Sequence, residues 1–391
     1  MKIAIVETAA FGGLLHYAAQ LGDSLARRGH DVDLITPRRN ELHEWPSAAR
    51  MRGVLAAPTR PGDDRPGSAI RRVGKRACVG LRLLRAWLRI VYETRTRGYG
   101  AVIVTCDIHL WLPALGALLV AAPPRGTRVA DVCHNARIFD RWRRGGGAFA
   151  TAPVLQRILK LTYPRFDVVF VHGTRARSDF DSMWPGANVE TIPHGDEGLF
   201  VTTPPPPSQE QRVLFFGNWS KVKGLPILMR AFDELASRQP GVKLTMAGMP
   251  LPHEVDIAEI RRWAARHDES IELIDRYVPI EEVWSVFRRA RVVVAPYLAG
   301  YQSGVVHLAM TMARPVVATD VGDLRSAVAD GKTGLVTPPA DAHALANALE
   351  RIVTDGPFAA RLGSEARRRV LDDSSWERVA RQVESALDPL T

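Results

Sequence analysis

Cysteine is scarce in this sequence: three residues in 391, Cys78, Cys106 and Cys133. They share no metal-ligand spacing, and an odd count makes no disulfide framework. Zinc-finger and disulfide-scaffold classes are excluded, and a reducing, cytosolic compartment is predicted. No apolar run reaches the ~20 residues of a membrane-spanning helix. The longest, 110–124, is interrupted by Pro113, Pro123 and Pro124. The opening stretch, 1–7, turns acidic at Glu7, too soon for a secretory leader. Aromatic residues are only 7% of the chain and are sparse among its arginines, so no stacking platform for nucleic acid is apparent and none is predicted as a partner. No internal repeat is visible, and the only low-complexity stretch is four prolines at 204–207.

What is present is an ordinary globular mixture, 46% hydrophobic and 24% charged, of a length that suggests two or three domains. Charge is unevenly placed. Residues 1–200 hold 29 basic and 18 acidic side chains, against 52 and 42 for the whole chain, so the first half carries the entire basic excess. Its densest part is Arg71, Arg72, Lys75, Arg76, Arg82, Arg85, Arg89, Arg95 and Arg97, opposed only by Glu93. Helical spacing puts Arg82, Arg85 and Arg89 on one face and Leu81, Leu84, Leu88 and Val91 on the other, expected to pack on a sheet. A second cluster, Arg137, Arg141, Arg143 and Arg144, precedes Gly145-Gly146-Gly147. Between a solvated face and an anionic membrane surface, the 71–97 region favours the membrane.

Short apolar runs alternate with helix-period stretches, the pattern of parallel βα units. Strands are predicted at 2–7, 31–36, 101–106, 128–133, 168–172 and 189–193, then at 213–216, 242–247, 271–274, 291–295 and 315–319. Helices are predicted at 14–28, 225–236 and 375–387. The prolines read as a semi-rigid spacer. The chain is therefore divided into a first α/β domain, 1–200, a linker, 201–208, and a second α/β domain, 209–374, with a terminal helix in 375–391. Two such halves imply a ligand-binding cleft.

Three strand-to-helix turns carry candidate chemistry. Phe11-Gly12-Gly13 allows a tight turn and close approach of a phosphate or sugar to a helix head. In the segment from Phe215 to Gly224, Gly217 and Asn218 follow a strand and Lys223 precedes a glycine, well placed to neutralise a diphosphate, with a solvated loop lysine as the plain alternative. At Gln302, Ser303, Gly304 and Val305 a helix begins whose first amides can hold phosphate oxygens, with a serine N-cap as the plain alternative. The triplets Asp31-Val32-Asp33 and Asp179-Phe180-Asp181 read as structural or solvated carboxylates, so no metal is predicted.

These segments, with Arg28-Gly29-His30-Asp31-Val32, His134-Asn135, Ile192-Pro193-His194-Gly195, Pro315 to Gly322 and Gly331 to Val336, resemble the retaining GT-B glycosyltransferases of family four over nearly the whole chain. The resemblance implies two Rossmann-like domains facing a cleft, the first for the acceptor and the second for a nucleoside-diphosphate sugar. It also implies a last helix, around Trp376, that crosses back to the first domain. It makes His134 the residue near the transferred sugar, Lys223 and the 303–305 amides the stabilisers of the leaving diphosphate, and front-face attack the route to retention. Departures are Asn218 in place of an arginine, and Gly300 and Leu308 in place of two glutamates, as in a Gln-Ser-Gly-Val subset; the donor sugar stays open. The expected enzyme transfers a sugar without a metal cofactor to a carbohydrate or lipid-linked acceptor, in the cytoplasm or on the inner face of the membrane. A same-fold epimerase, a glycan phosphorylase and an inactive binding homologue stay open as alternatives.

Overall fold

Strand 1 of the chain, β1 (Lys2–Val6), buries Ile3, Ala4, Ile5 and Val6 completely, which apolar side chains on both faces of a central parallel strand require. The computed structural model describes residues 1–56, 69–109, 111–136, 153–201 and 203–388, with side chains from 78 onward in the helix that starts at Ala69. Two compact units result: Met1–Pro193 with Trp376–Thr391, and His194–Ser375.

The first unit continues α1 (Gly13–Arg27), β2 (Asp31–Pro37), β3 (Arg50–Leu55), α2 (Ala69–Thr96), β4 (Ala101–Val104), α3 (Trp111–Val120), β5 (Arg128–Cys133), α4 (Pro153–Thr162), β6 (Val168–Val171), α5 (Thr174–Met183) and β7 (Val189–Thr191). Its sheet runs β3-β2-β1-β4-β5-β6-β7, every pair parallel. The second unit holds β8 (Arg212–Phe216), α6 (Leu225–Arg238), β9 (Lys243–Ala247), α7 (Ile257–Ala265), β10 (Ile271–Ile274), α8 (Ile280–Arg289), β11 (Val292–Ala295), α9 (Gly304–Thr311), β12 (Val316–Thr319), α10 (Leu324–Ala327), β13 (Gly334–Thr337), α11 (Ala342–Val353) and α12 (Gly356–Asp373). Its sheet runs β10-β9-β8-β11-β12-β13, again all parallel. Leu225, Leu228, Phe232 and Leu235 seal α6 onto its core.

The last helix, α13 (Trp376–Leu387), lies on α1 in the first unit. Ser24 donates to the Trp376 carbonyl at 3.0 Å, Arg28 pairs with Glu384, and His30 Nε2 lies 3.0 Å from the same carboxylate.

Two expectations need correction. The expected first domain of 1–200 and its 201–208 linker give way to a boundary at Pro193–His194, and the 201–208 stretch lies within the second unit, which holds its backbone. The Pro206 carbonyl accepts from Arg314 at 2.7 Å, and Ser208 Oγ donates to the Arg289 carbonyl at 2.7 Å. Arg314 is buried without a carboxylate partner among the described residues; it spends its donors on the Phe287, Arg288 and Pro206 carbonyls, and burial lowers its pKa to about 10. The second correction concerns α2. Leu81, Leu84 and Leu88 do not pack on the sheet but face solvent, while Ala86, Trp87, Ile90 and Glu93 are buried. Trp87 is buried instead, beside Gly116 of α3, and the buried Glu93 carboxylate is matched by Arg89, Arg97 and Arg52. The Arg71, Arg72, Lys75 and Arg76 side chains and the whole Arg137–Gly147 cluster lie outside the described residues.

Candidate functional site

Each sheet reverses its winding once, between β1 and β4 in the first unit and between β8 and β11 in the second. Ligands of such sheets bind beyond the C-terminal strand ends at that reversal. In the second unit the loops leaving β8 and β11 meet there. Gly224 adopts a left-handed φ of 67° after the turn Lys221–Lys223, and a side chain at 224 would run into the Pro296 carbonyl oxygen. The Leu298 amide donates to the Val222 carbonyl at 2.8 Å, tying the loops together.

The Lys223 ammonium stands 3.6 Å from the centre of the Tyr297 ring, close enough for a cation–π attraction. The Tyr297 hydroxyl shares a 3.1 Å hydrogen bond with Ser303 Oγ. Lysine, tyrosine and serine thus link the β8 loop to the head of α9. Ser303 is the N-cap residue, yet its hydroxyl caps nothing. Its carbonyl accepts the Val306 and His307 amides at 2.9 and 3.2 Å. The amides of Gly304 and Val305 belong to the first turn and have no helical acceptor, so they present the positive end of α9 beside the half-buried ammonium. Gly217 closes the group, with Val305 Cγ2 3.4 Å from where its Cβ would be. Gln302 Oε1 lies 3.4 Å from His307 Nε2. Asn218 is exposed beside Gly217 and joins none of these contacts.

Sequence reasoning missed Tyr297, Glu197 and His307 here, and carried His194 only within the Ile192-Pro193-His194-Gly195 segment. Tyr297 was not singled out, although it ends the apolar run of β11. Glu197 is buried, and its Oε1 would lie 3.2 Å from a Cβ on Gly304. His194 and His307 stack at 4.9 Å between centroids. The Glu197 amide donates to Thr311 Oγ1 at 3.1 Å, so the 194–198 segment runs along the α9 face of Gly304, His307 and Thr311. The i, i+3, i+7 spacing of those three residues was the available signal. At the two positions where glutamates were noted as missing, Leu308 is core and Gly300 has a φ of 142°.

In the first unit Gly12, at φ 85°, precedes Gly13 at the head of α1. The Gly12 amide donates to Glu41 Oε1 at 2.5 Å, and His16 Nε2 lies 2.6 Å from the same oxygen. A carboxylate of the chain itself therefore holds this helix head. His134 follows β5 and lies edge-on to Tyr17 at 4.7 Å and 5.2 Å from His172. Burial among these rings, with the neighbouring His172 second, holds its pKa well below the usual histidine range and keeps the ring neutral.

Glu7, just after β1, is fully buried. It accepts from the Ala9 amide at 2.7 Å and from the Thr105 hydroxyl at 3.0 Å. Burial outweighs these bonds and raises its pKa to about 7. The folded chain then holds a proton that the unfolded chain releases near 4.5, so this group's contribution to stability falls as pH rises through that window. The unfolding free energy of the wild type minus that of Glu7→Gln should drop by roughly 3 kcal/mol between the two pH limits. Denaturant titrations across the range test this, and a flat difference would show that Glu7 ionises normally.

Two all-parallel Rossmann-like units define the class, that of the GT-B glycosyltransferases acting with a nucleotide sugar. Residues 12–195 match the glycosyl transferase 4-like domain and residues 210–355 match glycosyl transferases group 1. A D-inositol 3-phosphate glycosyltransferase of Corynebacterium diphtheriae is 30% identical over 96% of this chain and 89% of its own length. A phosphatidyl-myo-inositol mannosyltransferase of Mycolicibacterium smegmatis is 29% identical over 248 residues, and the match spans only 60% of either chain. Among solved structures, Anabaena HepE in complex with UDP and glucose superposes with a TM-score of 0.72 at 16% identity, covering 99% of both chains, which shows the fold. The chain belongs to the family-four glycosyltransferases.

Proposed function

We propose that the enzyme transfers a sugar from a nucleoside-diphosphate sugar to a hydroxyl of a carbohydrate or lipid-linked acceptor, with retention at the anomeric carbon. The observation that carries this reading is the Lys223–Tyr297–Ser303 chain, which aims one full positive charge and the head of α9 at the same place. As the glycosidic bond lengthens, negative charge gathers on the leaving diphosphate. Lys223 and the Gly304 and Val305 amides are already oriented to meet it. No metal is called for in this scheme. Gln302 offers a side-chain amide beside the same helix head. On the first unit, His134 as a neutral imidazole is suited to a hydrogen bond with a sugar hydroxyl rather than to supplying charge. Gly12 and Gly13 give the acceptor-side turn its close approach. Retention follows from front-face attack with the departing phosphate as base. The UDP bound by HepE makes uracil the first base to try.

A peripheral position on the inner face of an anionic membrane is part of this reading, supported by the basic excess of residues 1–200. Among the described residues no helix is long and apolar enough to cross a membrane. Calorimetric titration with UDP, ADP and GDP tests the donor assignment: one of them should bind, and binding should weaken in Lys223→Ala. If none binds to the folded protein, the nucleotide-sugar reading is lost.

A further inference from the structure

Three neighbouring helices of the first unit turn apolar side chains to solvent. On α2, Leu84, Leu88 and Tyr92 form one stripe at i, i+4, i+8, with Leu88 55% and Tyr92 57% exposed. The opposite face of α2, with Ala86, Ile90 and Glu93, is the one it buries. Helix α3 packs against α2, close enough that a side chain on Gly116 would collide with the Trp87 ring. It exposes Trp111, Leu115 and Leu119, again at i, i+4, i+8. Helix α4 packs on α3 and adds Val154 and Leu161, both about half exposed at 51% and 53%.

The charge on this face has one sign. The three helices contain a single acid, Glu93, which is buried and paired with Arg89 and Arg97. Arg82 and Arg85 are exposed along the flank of the α2 stripe, and Arg157 and Lys160 are exposed on α4. Chains without a partner for it seldom expose so much adjoining apolar surface. A second copy seated on this face would bring arginine against arginine. An anionic bilayer answers both features, with acyl chains for the leucines and aromatics and phosphates for the arginines.

We propose that the α2–α3–α4 face docks on an anionic lipid bilayer, its apolar stripes entering the headgroup–acyl boundary and its arginines meeting lipid phosphates. The inference rests on the peripheral-membrane reading above and names its surface and mode: insertion as well as charge, so that part of the binding survives high salt. The test is flotation with phosphatidylcholine vesicles, with and without phosphatidylglycerol, at low and high salt. UDP affinity and thermal unfolding are followed in the same samples.

The wild type should float with anionic vesicles and retain part of that binding at high salt. Leu84→Ser/Leu88→Ser/Leu115→Ser should lower the partition about tenfold or more at either salt, with UDP affinity unchanged. Arg82→Gln/Arg85→Gln should remove only part of the salt-sensitive share. Absence of binding to anionic vesicles at low salt overturns the proposal, as does a triple-serine variant that binds like the wild type. So does a wild-type dimer in sedimentation that the serine variant dissolves, which would make the face a contact between copies. Lost docking with intact UDP binding leaves the transfer reading standing, and lost UDP binding with intact docking does the reverse.

Discussion

Lys223→Ala is expected to lower turnover about a hundredfold, close to 3 kcal/mol of transition-state stabilisation, with only a small change in folding. The large effect follows from where the charge is needed: on the leaving diphosphate, which the Gly304 and Val305 amides address only as dipoles. The small folding effect follows from a half-buried loop lysine whose close partner is the Tyr297 ring, a contact worth about 1 kcal/mol. Lys223→Arg should recover part of the rate, because the charge returns but on a longer, planar head that does not sit where the compact ammonium did. Rapid-quench turnover and a melting curve on the same preparations decide it. Full turnover by a folded Lys223→Ala enzyme would remove the lysine from the reaction.

Gly304→Val is expected to abolish nucleoside-diphosphate binding within the working range of calorimetry, a loss of at least tenfold. A Cβ at 304 would lie 3.2 Å from Glu197 Oε1 and 3.5 Å from His194 Cε1, so the added methyls must push that carboxylate aside and cover the amides. The helix itself tolerates the change, since φ at 304 is not in the left-handed region. Ser303→Ala is the contrast: it removes the 3.1 Å bond to Tyr297, worth about 1 kcal/mol, and should weaken binding only mildly. Equal affinity in wild type and Gly304→Val would sink the phosphate cradle at α9.

The strands were largely legible because a parallel strand covered on both faces must be apolar throughout. Ala101–Val104, Val168–Val171 and Val316–Thr319 are such runs, and β5 lies where its sequence placed it. Strand β3 escaped notice because it is an edge strand, Arg50-Met51-Arg52-Gly53-Val54-Leu55, whose arginines serve Asp31 and Asp33 on β2. The α2 face was misjudged because amphipathic spacing shows that a helix has an apolar stripe but not which way the stripe points. The bulk of Trp87 and the pairing of Glu93 decide that, and neither is a matter of period. At the site, glycines at strand ends marked Gly217, Gly224 and the 302–305 head. Glu197 reaches it from another loop, and Tyr297 acts through its ring and hydroxyl, contacts that spacing along one segment does not encode.

The placement of α13 sets an order of events during synthesis. The second unit is continuous from His194 to Ser375, so all its strands can pair once that stretch has left the ribosome. The first unit is made earlier yet lacks a piece: Trp376 packs on Tyr17 at 4.9 Å, and Glu384 is the partner of Arg28 and His30. Until those residues emerge, Tyr17 on α1 lacks its Trp376 contact, and Arg28 and His30, just beyond the helix, lack the Glu384 carboxylate. The part of the enzyme translated first is therefore the part completed last, and a chain stopped before Trp376 would carry a finished second unit beside a first unit with its α1 face still bare.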